Sequence, residues 1–176
     1  MLSNEIDPTF GLDALTTPPP SRYAACLMFA ANALARSVTA IGDAEFARLG
    51  LSYSHAYLLN EIATEPGLTP TALSETLYLS PSTITRLIEK LESKGLARRQ
   101  SGGKNTLVFA TDAGLALAPA VRQAWQANWV KFTRLLGEEA VLNLTRQVYA
   151  TAEVLSADPV PPLPLTEPGG YQPAYQ

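Results

Sequence analysis

The chain has one cysteine and one histidine in 176 residues. A lone Cys26 rules out an internal disulfide framework and suits a reducing compartment. A lone His55, with no second histidine or cysteine at ligand spacing, argues against a zinc site, so the metal set is read as none. No apolar run approaches the roughly eighteen residues that a membrane helix needs. The N-terminus lacks a basic region followed by an apolar stretch, so no secretion signal is expected and the cytoplasm is the expected location. A phosphate-cradling Gly-rich loop, a Gly-x-Ser-x-Gly elbow and a histidine matched to a nucleophile are missing as well. Catalytic residues and cofactors are therefore read as none, and an enzyme is not expected.

Proline is plentiful but sits at the ends. Ten of the 14 prolines fall in residues 1–21 and 157–176. Neither stretch can sustain a helix or a central strand, so residues 1–21 read as a flexible arm and 157–176 as a Pro-rich disordered tail. Charge is also uneven. Residues 69–104 hold Arg86, Lys90, Lys94, Arg98, Arg99 and Lys104 against Glu75, Glu89 and Glu92, a local +3 in a chain of net charge −3. A basic island in an acidic chain favours a polyanion where it touches and repels it elsewhere. A mixed-charge helix face is also commonly just solvated.

Between the ends, periodicity predicts helices. The first is expected from an N-cap at Ser21 to about Gly42, with Tyr23, Leu27, Ala31, Leu34, Val38 and Ile41 on one face. A short helix near 44–49 and a second main helix over 54–64, with Leu58, Leu59 and Ile62 inward, come next; Pro66-Gly67 stops the latter. Thr69-Pro70 and Ser80-Pro81 each place a capping hydroxyl before a proline at the first helical position. They open helices over 70–77 and 81–94, the pairing of a helix-turn-helix. Leu96–Gln100 and Thr106–Ala110 flank a polar, Gly-rich turn and read as a β-hairpin. Thr111 caps a long helix to about Leu136, with Val121, Trp125, Trp129, Phe132 and Leu136 on one side and a bend expected at Pro119. A last helix over 138–155 carries Val141, Leu144, Val148 and Leu155 near heptad spacing.

In order and residues this resembles the MarR family of winged helix-turn-helix transcriptional regulators. The resemblance rests on Gly50-Leu51-Ser52, on Leu73-Ser74-Glu75 with Leu77, and on Ser80-Pro81-Ser82-Thr83-Ile84-Thr85-Arg86-Leu87-Ile88 with Leu91. It continues through Leu107-Val108-Phe109-Ala110-Thr111-Asp112-Ala113-Gly114 and covers about residues 22–156. It implies a mainly α fold: a three-helix core with a two-stranded β wing over 51–111, and a helical dimerisation layer from 22–50 and 112–156. The implied activity is sequence-specific binding of double-stranded DNA by a homodimer on a pseudo-palindromic operator, acting as a ligand-responsive repressor, with no membrane involvement. Many members have a longer wing carrying an Asp-x-Arg element. Here the tip is only Ser101-Gly102-Gly103-Lys104-Asn105, so a minor-groove arginine does not carry over and Lys104 stands in its place.

The first turn of the second motif helix makes Ser82, Thr83 and Arg86 the leading base contacts, with Thr85 and Lys90 beside them. Ser80 has capping as a competing role. Arg86 has pairing with Glu89 or Glu92 as its alternative. Arg98, Arg99 and Lys104 suit phosphates, or else guard a hairpin edge. The resemblance further implies a small aromatic or phenolic effector near Tyr23, Leu27, His55 and Trp125, although tryptophans at 125 and 129 also suit core or dimer packing. Cys26 has a redox-sensing reading beside its plain reading as a small apolar residue. The competing function is a winged-helix module that binds another protein instead of DNA.

Overall fold

The computed structural model describes residues 21–23, 26–103 and 105–157. Most of the expected N-terminal arm and Pro-rich tail lie outside the described residues, as does Lys104. Among them the order is α1 (Leu27–Ala47), α2 (Tyr53–Thr64), α3 (Pro70–Thr76), α4 (Pro81–Ser93), β1 (Ala97–Gly102), β2 (Asn105–Ala110), α5 (Asp112–Leu136) and α6 (Glu138–Ala157). The class is the expected one, mainly helical with a two-stranded antiparallel wing. Two compact units divide the chain. One is Ser37–Asn128, and the other comprises the described residues up to Arg36 and from Trp129 onward.

The first helix departs from expectation at both ends. Ser21 Oγ does accept the Tyr23 N–H, but the chain then makes a turn closed by Cys26 N–H on the Tyr23 carbonyl. The helical ladder starts only where Ala30 N–H meets the Cys26 carbonyl. At the other end, Gly42 does not stop the helix. It is buried, and its carbonyl accepts from Asn128 Nδ2 at 3.3 Å. Glycine serves close approach there, and the short helix expected near 44–49 is the continuation of α1. The stop is Gly50 at φ +69°, with Gly50 N–H on the Ala47 carbonyl and Leu51 N–H on the Phe46 carbonyl. This is a Schellman motif, in which the left-handed residue lets the chain turn back over the last helical turn.

The motif helices follow their caps. Thr69 Oγ1 accepts from Ala72 N–H at 3.1 Å and Ser80 Oγ from Thr83 N–H at 3.3 Å, with proline next in both cases. Helix α4 ends in a second Schellman motif, Gly95 N–H on the Glu92 carbonyl and Leu96 N–H on the Leu91 carbonyl, with Gly95 at φ +68°. Helix α2 is capped from a distance. Ser52 stands at its N-cap without a side-chain cap bond, and Asp43 of α1 accepts the Tyr53 N–H at 2.8 Å.

One core holds the Ser37–Asn128 unit together. Leu58, Leu59 and Ile62 of α2, Leu73 of α3, Ile84, Leu87, Ile88 and Leu91 of α4, and Val108 of β2 are buried with Phe46 and Val121. Each such side chain contributes roughly 1.5–3 kcal/mol by leaving water. Phe46 and Val121 bring the end of α1 and the start of α5 into the same core as the winged segment. On α5 the inward stripe is Gly114, Ala118, Val121, Ala124 and Asn128, and the helix runs through Pro119. The expected stripe drifts off this face: Trp125 is partly buried, and Trp129 and Leu136 are exposed. In α6 Val141 is buried, whereas Leu144, Val148 and Leu155 are exposed.

The start of α5 is fixed by an unusual density of contacts. Thr111 N–H donates to the Leu96 carbonyl, and Thr111 Oγ1 donates to the Gly95 carbonyl while accepting from Gly114 N–H at 3.1 Å. A Cβ on Gly114 would collide with the Leu96 carbonyl oxygen and crowd Leu59 Cδ1 at 3.1 Å. Because one of those neighbours is backbone, no rotamer change relieves the clash. Gly114→Ala is expected to cost about 1–3 kcal/mol, the range of an overpacked core, read as a lowered urea midpoint at unchanged slope. An alanine variant as stable as the parent contradicts the packing described.

Candidate nucleic-acid interface

Helices α3 and α4 are joined by Leu77-Tyr78-Leu79-Ser80, with Leu77 and Leu79 packed against the core. Burial of Ile84, Leu87, Ile88 and Leu91 turns the opposite face of α4 outward, and Ser82, Thr85, Arg86 and Lys90 lie exposed on it. Their hydroxyls are not equivalent. Ser80 Oγ sits 3.0 Å from Ser82 Oγ and 2.8 Å from Thr83 Oγ1, so three hydroxyls share the N-terminus of α4. Thr85 Oγ1 donates back to the Pro81 carbonyl at 3.0 Å. The positive end of the helix dipole adds to the hydroxyls, a combination suited to phosphate oxygens. Arg86 and Lys90 lie one and two turns further along the same exposed face. The capping role of Ser80 is present, and its oxygen also organises Ser82 and Thr83.

The two wing arginines do different work. Glu92 at the end of α4 accepts Arg99 Nη2 at 2.6 Å, Arg99 Nε at 3.0 Å and the Arg99 backbone N–H at 2.9 Å. These hydrogen bonds hold the Glu92 carboxyl below its ordinary pKa and raise that of Arg99. Glu92, one of two carboxylates considered for Arg86, is thus bound to Arg99 and clamps the wing to α4. Arg98, on the other face, lies 4.6 Å above the Phe109 ring centroid, opposite it in the strand register, and its Nη1 donates to Gln100 Oε1 at 2.8 Å. Beneath, Gly67 N–H donates to the Val108 carbonyl and Val108 N–H to the Leu68 carbonyl, so the α2–α3 link braces the wing root. Gly102 pairs with Asn105 at the tip, and Gly103 takes φ +66°. Lys104 lies outside the described residues.

The remaining candidates are spread out. Tyr23 and Leu27 are exposed and Cys26 is half-buried, all in the unit that holds the N-terminal half of α1. His55 and Trp125 belong to the Ser37–Asn128 unit. His55 was expected to lack a nucleophile partner, yet its Nδ1 lies 2.7 Å from Ser52 Oγ. The pair is three residues apart at a helix start, a local side-chain contact. Burial first, then Lys94 and Lys90, lower the His55 pKa against the opposing pull of Asp43. Trp125 joins an aromatic series: Phe46 meets it edge-on at 5.9 Å, and the Tyr57 ring lies 5.0 Å from it. Asn128 escaped the sequence reading. It is 5% exposed and its Oδ1 has no hydrogen-bond partner. The signal was present, since Asn128 follows Val121 and Ala124 on the buried face of α5.

Among the described residues no group of three or more His, Cys, Asp and Glu is placed to hold a metal ion. No helix there is long and apolar enough to cross a membrane.

This geometry has relatives. The MarR family model matches residues 49–105, from the turn before α2 to the first residue of β2. Over these residues the chain is similar to the winged helix-turn-helix of that family. Solved structures extend the likeness of fold to the flanking helices. The transcriptional regulator SlyA is 22% identical, covering 76% of this chain and 96% of its own, at a TM-score of 0.65. A MarR family regulator from Listeria monocytogenes, solved with 26mer DNA, is 24% identical over 75% of this chain and 90% of its own, at 0.63. CouR from Rhodococcus jostii RHA1, bound to p-coumaroyl-CoA, is 19% identical over 78% and 98%, at 0.64. No curated protein matches the sequence.

Within this segment, Glu92 holds the wing through three hydrogen bonds that are largely in solvent. Glu92→Gln is therefore expected to cost under about 1 kcal/mol of global stability. Backbone amides of β1 and β2 should nevertheless exchange with deuterium several-fold faster than in the parent, while those of α2 stay unchanged. Equal exchange in both wings contradicts the clamp.

Proposed function

We propose that the protein is a DNA-binding transcription regulator that acts as a homodimer on a pseudo-palindromic operator, a repressor released by a small aromatic or phenolic effector. The observation that carries the reading is the exposed face of α4, where a capped N-terminus with three hydroxyls precedes Arg86 and Lys90 on a helix held rigid by its buried side. In this reading the first turn of α4 enters the major groove. Ser80, Ser82, Thr83 and Thr85 meet the backbone or base edges, Arg86 reads a base and Lys90 meets a phosphate. Arg98 and Arg99 act mainly by fixing the wing, and Lys104 is its candidate phosphate contact. The Listeria relative solved with DNA and the S. aureus MepR–DNA complex, which shares the fold at a TM-score of 0.64, support the reading.

A second copy is supported by apolar side chains left in solvent. Leu27 and Met28 of α1, and Val148, Val154 and Leu155 of α6, are each about half exposed or more. Such surface is covered in a dimer. Effector binding is supported by the buried Asn128 Oδ1, an acceptor without a donor, in the unit that also holds the Phe46, Trp125 and Tyr57 rings. A donor such as a phenol satisfies that acceptor, and release then follows from a shift of population toward a dimer with mismatched helix spacing. The protein-binding module is the less favoured reading because the outward face of α4 keeps its cations.

Selection from a pool of random duplexes tests the reading, with enrichment of a two-fold sequence expected. Arg86→Ala should then cost about 1–3 kcal/mol on the selected duplex and far less on random DNA. Lys90→Ala should weaken both and lower the salt slope by about one. Equal losses on selected and random duplexes for both variants contradict this division.

A further inference from the structure

Helix α4 carries a carboxylate on the face where a polyanion is expected to land. Its inner side buries Ile84, Leu87, Ile88 and Leu91. Opposite them, Ser82, Arg86, Glu89 and Ser93 follow at intervals of four, three and four residues, which is one line along a helix. All four are exposed. Glu89 therefore lies on the midline of the outward face, one turn beyond Arg86. Its neighbour Glu92 is bound by Arg99 at 2.6 and 3.0 Å. Glu89 makes no hydrogen bond or ion pair among the described residues, although Arg86 stands three positions before it and Lys90 beside it. Arg99 acts on it only through space, its guanidinium being held by Glu92. The nearby hydroxyls are turned to backbone, Ser93 Oγ donating to the Lys90 carbonyl at 2.8 Å and Thr85 Oγ1 to the Pro81 carbonyl at 3.0 Å. The cohesion of α4 does not depend on this carboxylate.

A carboxylate on such a face repels the phosphates of every duplex, whatever the sequence. Only a hydrogen-bond donor on the DNA offsets that repulsion. On the major-groove edge guanine offers N7 and O6 and thymine offers O4, all of them acceptors. Adenine sets the acceptor N7 beside its N6 donor, whereas cytosine presents its N4 amine with no acceptor next to it. We propose that Glu89 is a specificity-determining residue: it accepts from a cytosine N4 amine in each half-site and repels duplexes that lack a cytosine there. The inference rests on the DNA-binding reading above. Such a residue works as much by rejection as by attraction, lowering affinity for wrong sequences more than for the right one.

Duplex selection with the parent, Glu89→Ala and Glu89→Gln in parallel tests it. Glu89 is exposed, so both variants should melt like the parent. The parent should enrich one C·G pair per half-site whose replacement lowers affinity about tenfold, within the range of a good base contact. Glu89→Ala should lose the preference at that pair alone and bind random duplexes several-fold more tightly. Glu89→Gln both donates and accepts, so at the same pair it should shift the preference to adenine, through N7 and N6. A Glu89→Ala protein with the parent's preference at every position overturns the proposal. So does loss of preference for a base other than cytosine, or a variant that is weaker on all duplexes alike. A parent that enriches no sequence overturns the DNA-binding reading itself, and that failure appears without any substitution.

Discussion

The hydroxyl of Thr111 is the point on which the winged segment turns. It donates to the Gly95 carbonyl at the end of α4 and accepts from Gly114 in the first turn of α5, while its backbone N–H takes the Leu96 carbonyl next to β1. Three elements therefore meet within one residue's reach. Gly114 allows the meeting, because any side chain there strikes the Leu96 carbonyl. The Schellman motif ends α4 and Glu92 clamps the wing, and this junction adds the tie between that chain reversal and the first turn of α5. With it, the outward face of α4 and the wing keep one relation to each other, which is what recognition of a groove and its flanking phosphates requires.

Charge is distributed to the same end. Arg99 and Glu92 cancel each other and act as a clamp, and Arg98 is stacked on Phe109. That leaves Arg86 and Lys90 as the exposed α4 cations beside the hydroxyls of the helix N-terminus. A count of basic residues in this region overstates how many are available to a polyanion. Two of the six are occupied in holding the wing in place, and their removal would act through geometry more than through lost attraction.

Much of this was legible in the sequence because local signals agreed with the fold. Thr69-Pro70 and Ser80-Pro81 marked helix starts correctly, since cap hydroxyl and proline act within four residues. The inward sets of α2 and α4 followed from period alone, and the hairpin from its turn residues. Where contacts were long-range, the reading slipped. Gly42 looked like a helix stop because its partner, Asn128, lies far along the chain. Ser21 looked like the cap of α1, yet a turn intervenes before the ladder begins. The expected α5 stripe followed the large aromatics, whereas small residues at 114, 118 and 124 make the close approach. In the candidate site, residue types were visible but their partners were not. Nothing in the spacing told that Glu92 would take Arg99.

The central claim is that the N-terminal turn of α4 meets base edges in the major groove, in two copies per duplex. Methylation interference at guanine N7, on a duplex selected by the protein, tests it most directly. The account predicts two patches of interference about one helical turn apart, roughly 10 base pairs centre to centre, each on the major-groove side. Binding unaffected by methylation at every guanine N7 of the site, or a single patch on a duplex bound by one copy, would contradict it.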